Sequence, residues 1–458
     1  MIRQVKLLAV AGVAASLAAV TGIAYGKTGD LRWEPCPAGD VPIECASVAV
    51  PVVWERADGP TLTLKVARLR ATGERQGVVF ANPGGPGVSG VRSLPGMARK
   101  FGAAVRESYD IVSWDPRGIG GSSPLSCPPG ADAEFAGLRV PESVGERVRY
   151  EHGAARWARA CRTQSGPVFD HVDTLSNARD LDRLREVLGE PKLNYAGFSY
   201  GTRIGLLYAD LFPARVGRMT LDSAVDPTSD EADFFAGQAR AAEQAFTDYQ
   251  ASCPTRDGCP LSDLTVPQAR AWLAPLVRRD AELNGLLPNI LRQPATWPSL
   301  DQLLGELRAG TYQPGGDGTG GSEVASHAVN CLDLPDHRSP AQIMAQAERA
   351  AVRYPLFGRL MVGSVVCTEW PVPPTYRPHP ITARGSSAIL VVGTTHDTAT
   401  PYDWAVSAAR SLSAGRLLTV RGTGHVAYGT NACATGVIDR YFLTGALPPA
   451  GTVCPTRA

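Results

Sequence analysis

Lysine, net charge and long apolar stretches are all scarce in this chain, and each scarcity excludes something. Five of its 45 basic residues are lysine. The arginines that make up the rest are scattered, so no basic patch marks a surface for nucleic acid or for an anionic membrane. Formal net charge is +1 over 458 residues, with 19% charged residues, which points the same way. Beyond residue 25 no segment is apolar for long enough to span a bilayer. No internal repeat is visible. No Cys-x-x-Cys pair occurs and no His sits at finger spacing, so a structural metal site lacks its ligands.

The N-terminus carries Arg3 and Lys6, then an apolar run from Leu7 to Tyr25. Ala24-Tyr25-Gly26 puts small residues at the −3 and −1 positions of a cleavage site. This predicts a secretory signal peptide over residues 1–26, the alternative being a retained anchor of nearly bilayer-spanning length. Ten cysteines, an even number, suit an exported chain held by disulfides. Pairing sequence neighbours is the simplest arrangement: Cys36 with Cys45, Cys127 with Cys161, Cys253 with Cys259, Cys331 with Cys367, Cys433 with Cys454.

The mature chain is long enough for a full α/β core and a sizeable insertion. Ser47 to Trp54 and Thr61 to Leu69 alternate as an opening antiparallel pair. Short apolar runs follow at Gly77 to Ala81, Tyr109 to Trp114, Leu193 to Gly197 and Val216 to Leu221. Helical spacing covers Thr174 to Gly189 and Ser199 to Phe212. This alternation predicts a mostly parallel sheet with helices on both faces. From 226 to 380 strand rhythm disappears. That stretch is Ala-, Gln- and Pro-rich, with helical pieces around Glu231 to Gln250 and Pro267 to Asn284 and a Gly-rich loop, Gly315 to Gly321. It reads as an inserted helical cap between core residues 27–225 and 381–458. Strand rhythm resumes at Ala388 to Val392 and Arg416 to Arg421, and a last helix covers about Cys433 to Leu443.

Gly197-Phe198-Ser199-Tyr200-Gly201 matches G-x-S-x-G, a weak signal alone. A strand before it and a helix after it are what a nucleophile elbow requires; a serine merely capping a helix is the plainer alternative. Asn82-Pro83-Gly84-Gly85-Pro86-Gly87 follows a strand, where an α/β-hydrolase fold carries its second oxyanion donor. Tyr200 N–H is one expected donor and Gly85 N–H the other, with Gly84 its close competitor. Chain order in this fold is nucleophile, acid, histidine. Among seven histidines, His425 follows the last strand, Arg416 to Arg421, in Gly422-Thr423-Gly424-His425. His396 precedes that strand, His327, His337 and His379 lie in or beside the cap, and His152 and His171 precede the nucleophile. Asp397 follows the strand at 388–392 and is the expected acid. Asp222 is its competitor, with a structural role anchoring the loop into the cap as its simpler reading. Thr400 is placed to support the acid loop.

Taken together, Asn-Pro-Gly-Gly-Pro-Gly at 82–87, Asp115-Pro-Arg-Gly-Ile-Gly, Tyr195-Ala-Gly-Phe-Ser-Tyr-Gly-Thr, Leu221-Asp-Ser-Ala-Val-Asp-Pro, Asp397-Thr-Ala-Thr-Pro and Gly422-Thr-Gly-His resemble the secreted tripeptidyl aminopeptidases of actinomycetes. These are α/β-hydrolase serine peptidases of the proline iminopeptidase group. The resemblance runs from about Trp33 to Cys454. It implies a secreted exopeptidase that releases short peptides, often tripeptides, from free N-termini without a metal or organic cofactor. Its partners would be peptide substrates, with no nucleic acid and no stable membrane partner once the signal is removed. Pro83 stands where many proline iminopeptidases have His, which favours the tripeptidyl branch. An aminopeptidase must hold an α-ammonium, which calls for a partly desolvated carboxylate on the cap or its edge. Asp333 and Glu369 are the candidates. A secreted carboxylesterase or lipase would use the same triad without such a carboxylate, and a non-catalytic binding protein would use neither.

Overall fold

The computed structural model describes residues 31–36, 41–56, 58–138, 141–313 and 322–456. The signal-peptide segment and the loop from Gly315 to Gly321 lie outside them.

Alternation shapes the first strands. In β2 (Glu44–Pro51) and β3 (Thr61–Leu69), which pair antiparallel, Leu62, Leu64 and Val66 are buried while Thr61 and Thr63 face water. β4 (Gly77–Asn82) and β5 (Tyr109–Trp114) are buried at every position, as strands covered on both faces must be. With the short β1 (Glu34–Pro35), β6 (Leu193–Phe198), β7 (Val216–Asp222), β8 (Ile389–His396), β9 (Gly415–Thr423) and the short β10 (Val453–Cys454), they form one ten-stranded sheet. Its order is β1-β2-β3-β5-β4-β6-β7-β8-β9-β10, antiparallel from β1 through β5 and parallel from β5 to β10. This is the α/β-hydrolase fold. Side chains of one strand part to opposite faces: Val78 and Phe80 join one apolar cluster, Val79 and Ala81 the other, as the two-residue period requires.

One feature of the topology positions the site. The chain leaves β4 to form β5 on one side of it, then returns to lay β6 on the other. Strand order reverses at the β4–β6 pair, where Asn82 faces Gly197. Connections diverge there, and a crevice opens at the carboxyl ends of the strands.

The helices start and stop for local reasons. Asp173 caps Thr174–Val187 by accepting from Ser176 N, and Gly189 at φ 72° turns the chain after it. The expected helix over 267–284 is two, Val266–Arg279 and Ala281–Ile290. They break at Asp280, whose extended backbone lets its carboxylate accept from Leu283 N at 3.1 Å and start the second. A long helix, Val144–Ser165, was not expected, although Ser143 and Glu146 form the capping box that announces it.

Between β7 and β8 the described elements are helices. Phe246, Tyr249, Leu273 and Phe357 there share an apolar cluster separate from the sheet's two. The helix Glu323–Asp333 instead buries Val324, Ala328 and Leu332 in the sheet's own cluster. All five disulfides join the sequence neighbours expected above. Cys331–Cys367 pins Glu323–Asp333 to the helix Val365–Thr368. Among the described residues, no helix is long and apolar enough to cross a membrane.

Candidate active site

Ser199 sits between β6 and the helix Tyr200–Leu211 with φ 54° and ψ −124°, a conformation that non-glycine residues reach only with strain. The surroundings hold it there. Ser199 N donates to Asp222 O at 3.0 Å, and Tyr195 Oη donates to Gly201 O at 2.7 Å. A Cβ on Gly197 would come within 2.6 Å of Gly201 O, and one on Gly201 within 2.8 Å of Asn82 O. That close approach is why glycine flanks the serine on both sides. Ser199 occupies the N-cap position, yet its hydroxyl accepts no cap hydrogen bond, so the helix-capping alternative fails.

The loop after β4 crosses the elbow. A Cβ on Gly84 would lie 2.7 Å from Phe198 O and 2.9 Å from Ser199 Cβ. Gly84 N–H is already committed, donating to Asn82 Oδ1 at 3.0 Å. Gly85 N–H has no acceptor among the described residues, and Gly85 is exposed. Asp115 holds the far end of this loop by accepting from Ser89 Oγ at 2.5 Å and Val91 N at 3.0 Å. Arg117, from the same motif, makes a fully buried ion pair with Asp180 and donates to the carbonyls of Pro51, Val52 and His171. The Asp-Pro-Arg-Gly motif is therefore scaffolding for the loop that faces Ser199.

Asp397 and His425 meet across the ends of β8 and β9, with His425 Nδ1 2.9 Å from Asp397 Oδ1. Both are buried, and His425 Nε2 carries no hydrogen bond, to Ser199 Oγ included. Asp397 Oδ1 also accepts from the amides of Ala399 and Thr400, and Oδ2 from Ser223 Oγ at 2.6 Å. Burial alone would raise its pKa; the His425 charge and these hydrogen bonds prevail and hold it below the ordinary carboxylate value. His425 N donates to Arg292 O at 2.9 Å, and Gln293 Nε2 donates to His425 O. The imidazole loop is thus fastened to the segment that follows Ala281–Ile290.

Ser223 was passed over in the sequence, although it lies in one of the quoted motifs. Its hydroxyl bridges the acid to the histidine loop, accepting from Val426 N at 2.7 Å while donating to Asp397. Asp222, the competitor for the acid, is bonded to the histidine loop rather than to a loop into the cap. Its carboxylate accepts from Ala427 N and Tyr428 N, just past His425. Thr400 supports the acid loop through its amide.

The two candidate ammonium groups part company. Asp333 is 1% exposed, and both its oxygens accept from Thr174, through its amide and its hydroxyl. Thr174 Oγ1 lies 2.7 Å from Tyr200 Oη. Burial pushes the Asp333 carboxyl up to about 6 against the pull of Arg203 and Thr174. The substrate role expected of Asp333 is corrected: it is a brace beneath the elbow, because a group so enclosed and so fully bonded has no face left for a substrate ammonium. Glu369 is half-buried, just past the helix Val365–Thr368. Of the other histidines, His396 meets Asp248 and His379 meets Asp210 at the surface, and His327 lies edge-on to Phe135 and Trp157.

Known proteins resemble this chain over nearly its whole length. Serine protease Hip1 of Mycobacterium tuberculosis is 34% identical over 93% of this chain and 91% of that one. Carboxylesterase B of the same organism is 35% identical over 90% and 86%. Tripeptidyl aminopeptidase of Streptomyces lividans is 31% identical over 98% and 89%. The family described as TAP-like protein matches residues 354–454, the stretch that carries Asp397 and His425. The chain belongs to the tripeptidyl-aminopeptidase-like family of α/β-hydrolase serine peptidases, and it is a serine hydrolase of the peptidase kind.

Proposed function

We propose that this enzyme is a secreted exopeptidase that releases short peptides, of tripeptide length, from free N-termini through an acyl-enzyme on Ser199.

 The observation that supports this most directly is the pairing of His425 Nδ1 with a buried, ionised Asp397, joined through Ser223 and Asp222 to the elbow serine, whose hydroxyl makes no cap bond. In this reading Ser199 Oγ attacks the scissile carbonyl and its proton passes to His425 Nε2. Asp397 holds the tautomer and stabilises the imidazolium. Tyr200 N–H, freed as the first residue of its helix, and Gly85 N–H receive the oxyanion, the Gly84 amide being spent on Asn82. His425 then protonates the leaving amine, and water attacks the ester by the same route in reverse. In this reading Ser199 Oγ and His425 Nε2, which share no hydrogen bond here, close on each other when substrate binds.

The helices between β7 and β8 supply the cap over 226–380 that limits which ends of a peptide enter, and Glu369 is the carboxylate proposed for the ammonium. Export through the segment at 1–26 fits the five disulfides. The relative named Carboxylesterase B favours a second reading, ester hydrolysis on the same triad with no need of a free N-terminus. One assay separates them: a tripeptidyl arylamide with its N-terminus free or acetylated, products identified by mass spectrometry. Loss of turnover on acetylation is the expected result, and equal rates would sink the exopeptidase reading. Ser199→Ala should lower turnover by roughly 10⁴-fold and abolish fluorophosphonate labelling.

A further inference from the structure

The segment after Ala281–Ile290 reaches the site from the side of the imidazole. Arg292 O accepts from His425 N at 2.9 Å and from Thr398 Oγ1 at 3.3 Å. Residue 292 is therefore fixed against both the histidine loop and the acid loop by its backbone, which leaves its side chain free for something else. Among the described residues, no carboxylate lies within ion-pair distance of the Arg292 guanidinium. Asp397, the carboxylate whose field it feels, already accepts from His425, Ser223, Ala399 and Thr400. Enclosure by protein lowers the Arg292 pKa and Asp397 opposes that, yet the residue keeps an exposed surface. The guanidinium is thus an accessible cation without a carboxylate partner among the described residues, open to an anion that arrives with the substrate.

The place says which anion. His425 delivers its proton to the leaving amine, so the departing chain begins against the imidazole, beside the loops to which the Arg292 backbone is bonded. We propose that Arg292 is a specificity-determining residue for the leaving side of the substrate, its guanidinium binding a carboxylate on the first departing residue. The planar fork of arginine suits a carboxylate in two-point contact. The carboxylate has two sources: the free C-terminus of a single departing residue, or the side chain of Asp or Glu at that position. The inference rests on the acyl-enzyme reading above and names the substrate class for it.

The test uses the full mature enzyme and two substrate pairs: Ala-Ala-Ala-Phe as free acid and as C-terminal amide, and Ala-Ala-Ala-Asp-amide against Ala-Ala-Ala-Asn-amide. Wild type should prefer the carboxylate member of at least one pair by about tenfold in kcat/KM. Arg292→Gln should bring that ratio close to one, and Arg292→Lys should retain part of it. A response in the first pair alone assigns the C-terminus, and in the second alone the acidic side chain. Wild-type ratios near one in both pairs, or an Arg292→Gln loss shared equally by both members of each pair, overturn the proposal. The free and acetylated arylamides, run on the same preparations, report on the N-terminal reading separately. Should only esters be cleaved, 4-carboxyphenyl and 4-carbamoylphenyl acetate give the same ratio, and equal ratios in wild type and Arg292→Gln again overturn it.

Discussion

Ser223→Ala tests how the acid is held. The substitution removes the bond to Asp397 Oδ2 at 2.6 Å and the bond from Val426 N at 2.7 Å. A hydrogen bond to an ionised group contributes about 1.5–3 kcal/mol, and a buried amide left unpaired costs about 1–3 kcal/mol. Asp397 Oδ1 keeps its bonds to His425, Ala399 and Thr400, so the carboxylate stays in place but can rotate. We expect about 2–4 kcal/mol lower stability and a fall in kcat/KM of about 10- to 100-fold, equivalent to about 1.4–2.7 kcal/mol at the transition state. The Ser223 bond favours the ionised form and helps to depress the Asp397 pKa. Its loss moves that pKa up, so activity lost on acidification is lost at a higher pH than in wild type. Ser223 also sits at φ 57°, where glycine is unstrained. Ser223→Gly should therefore recover part of the stability and none of the rate. The assay is kcat/KM against pH with a tripeptidyl arylamide, alongside a thermal melt. A Ser223→Ala enzyme within twofold of wild type with an unmoved acid limb would refute the reasoning, as would a Ser223→Gly enzyme of full activity.

Other outcomes follow from the same geometry. Gly84→Ala places a methyl 2.7 Å from Phe198 O at φ 99°; activity should drop by about 100-fold or more as the loop is pushed off the elbow, and full activity would mean the loop is not held there. Burial lowers the His327 pKa to about 4. As pH falls below about 6.5 the unfolded chain takes up a proton that the native ring refuses, so stability declines between about 6.5 and 4, by about 2 kcal/mol after allowing for the partial exposure of the ring. Melts of His327→Phe across that window should be flatter than those of wild type. Replacing Cys331 and Cys367 by Ser opens a link spanning 36 residues and should cost about 3–4 kcal/mol on the chain-entropy account; an unchanged melting temperature would show that packing alone holds Glu323–Asp333.

Much of this was readable along the chain because the physics involved is local. Two-residue alternation and continuous apolar runs mark strands, and so β5 is found at the residues its pattern indicates. Gly197 marks an elbow because a Cβ there collides with Gly201 O only a few residues away, whereas Gly201 is required by the distant Asn82. Chain order then singled out Asp397 and His425 among all the acids and histidines. Disulfides between sequence neighbours need little more than short loops. Where local cues were read by composition alone they misled: the break at Asp280 and the start at Ser143 are both capping signals that a helical count passes over.

Tertiary structure decided what depends on contacts between distant segments. Asp333 looked available beside a cysteine, but Thr174, 159 positions earlier, takes both its oxygens. Ser223 lies in a quoted motif that assigns it no role, and it gains one because β7 lies beside β8, which brings its hydroxyl to Asp397, 174 positions away. Arg292 belongs to a helical stretch without strand rhythm, and only folding sets its carbonyl against His425. The physical reason is common to these cases. A side chain's identity determines which bonds it can make, whereas burial and partners across the sheet determine which it does make. Those are set by strand order, which no single stretch of sequence encodes.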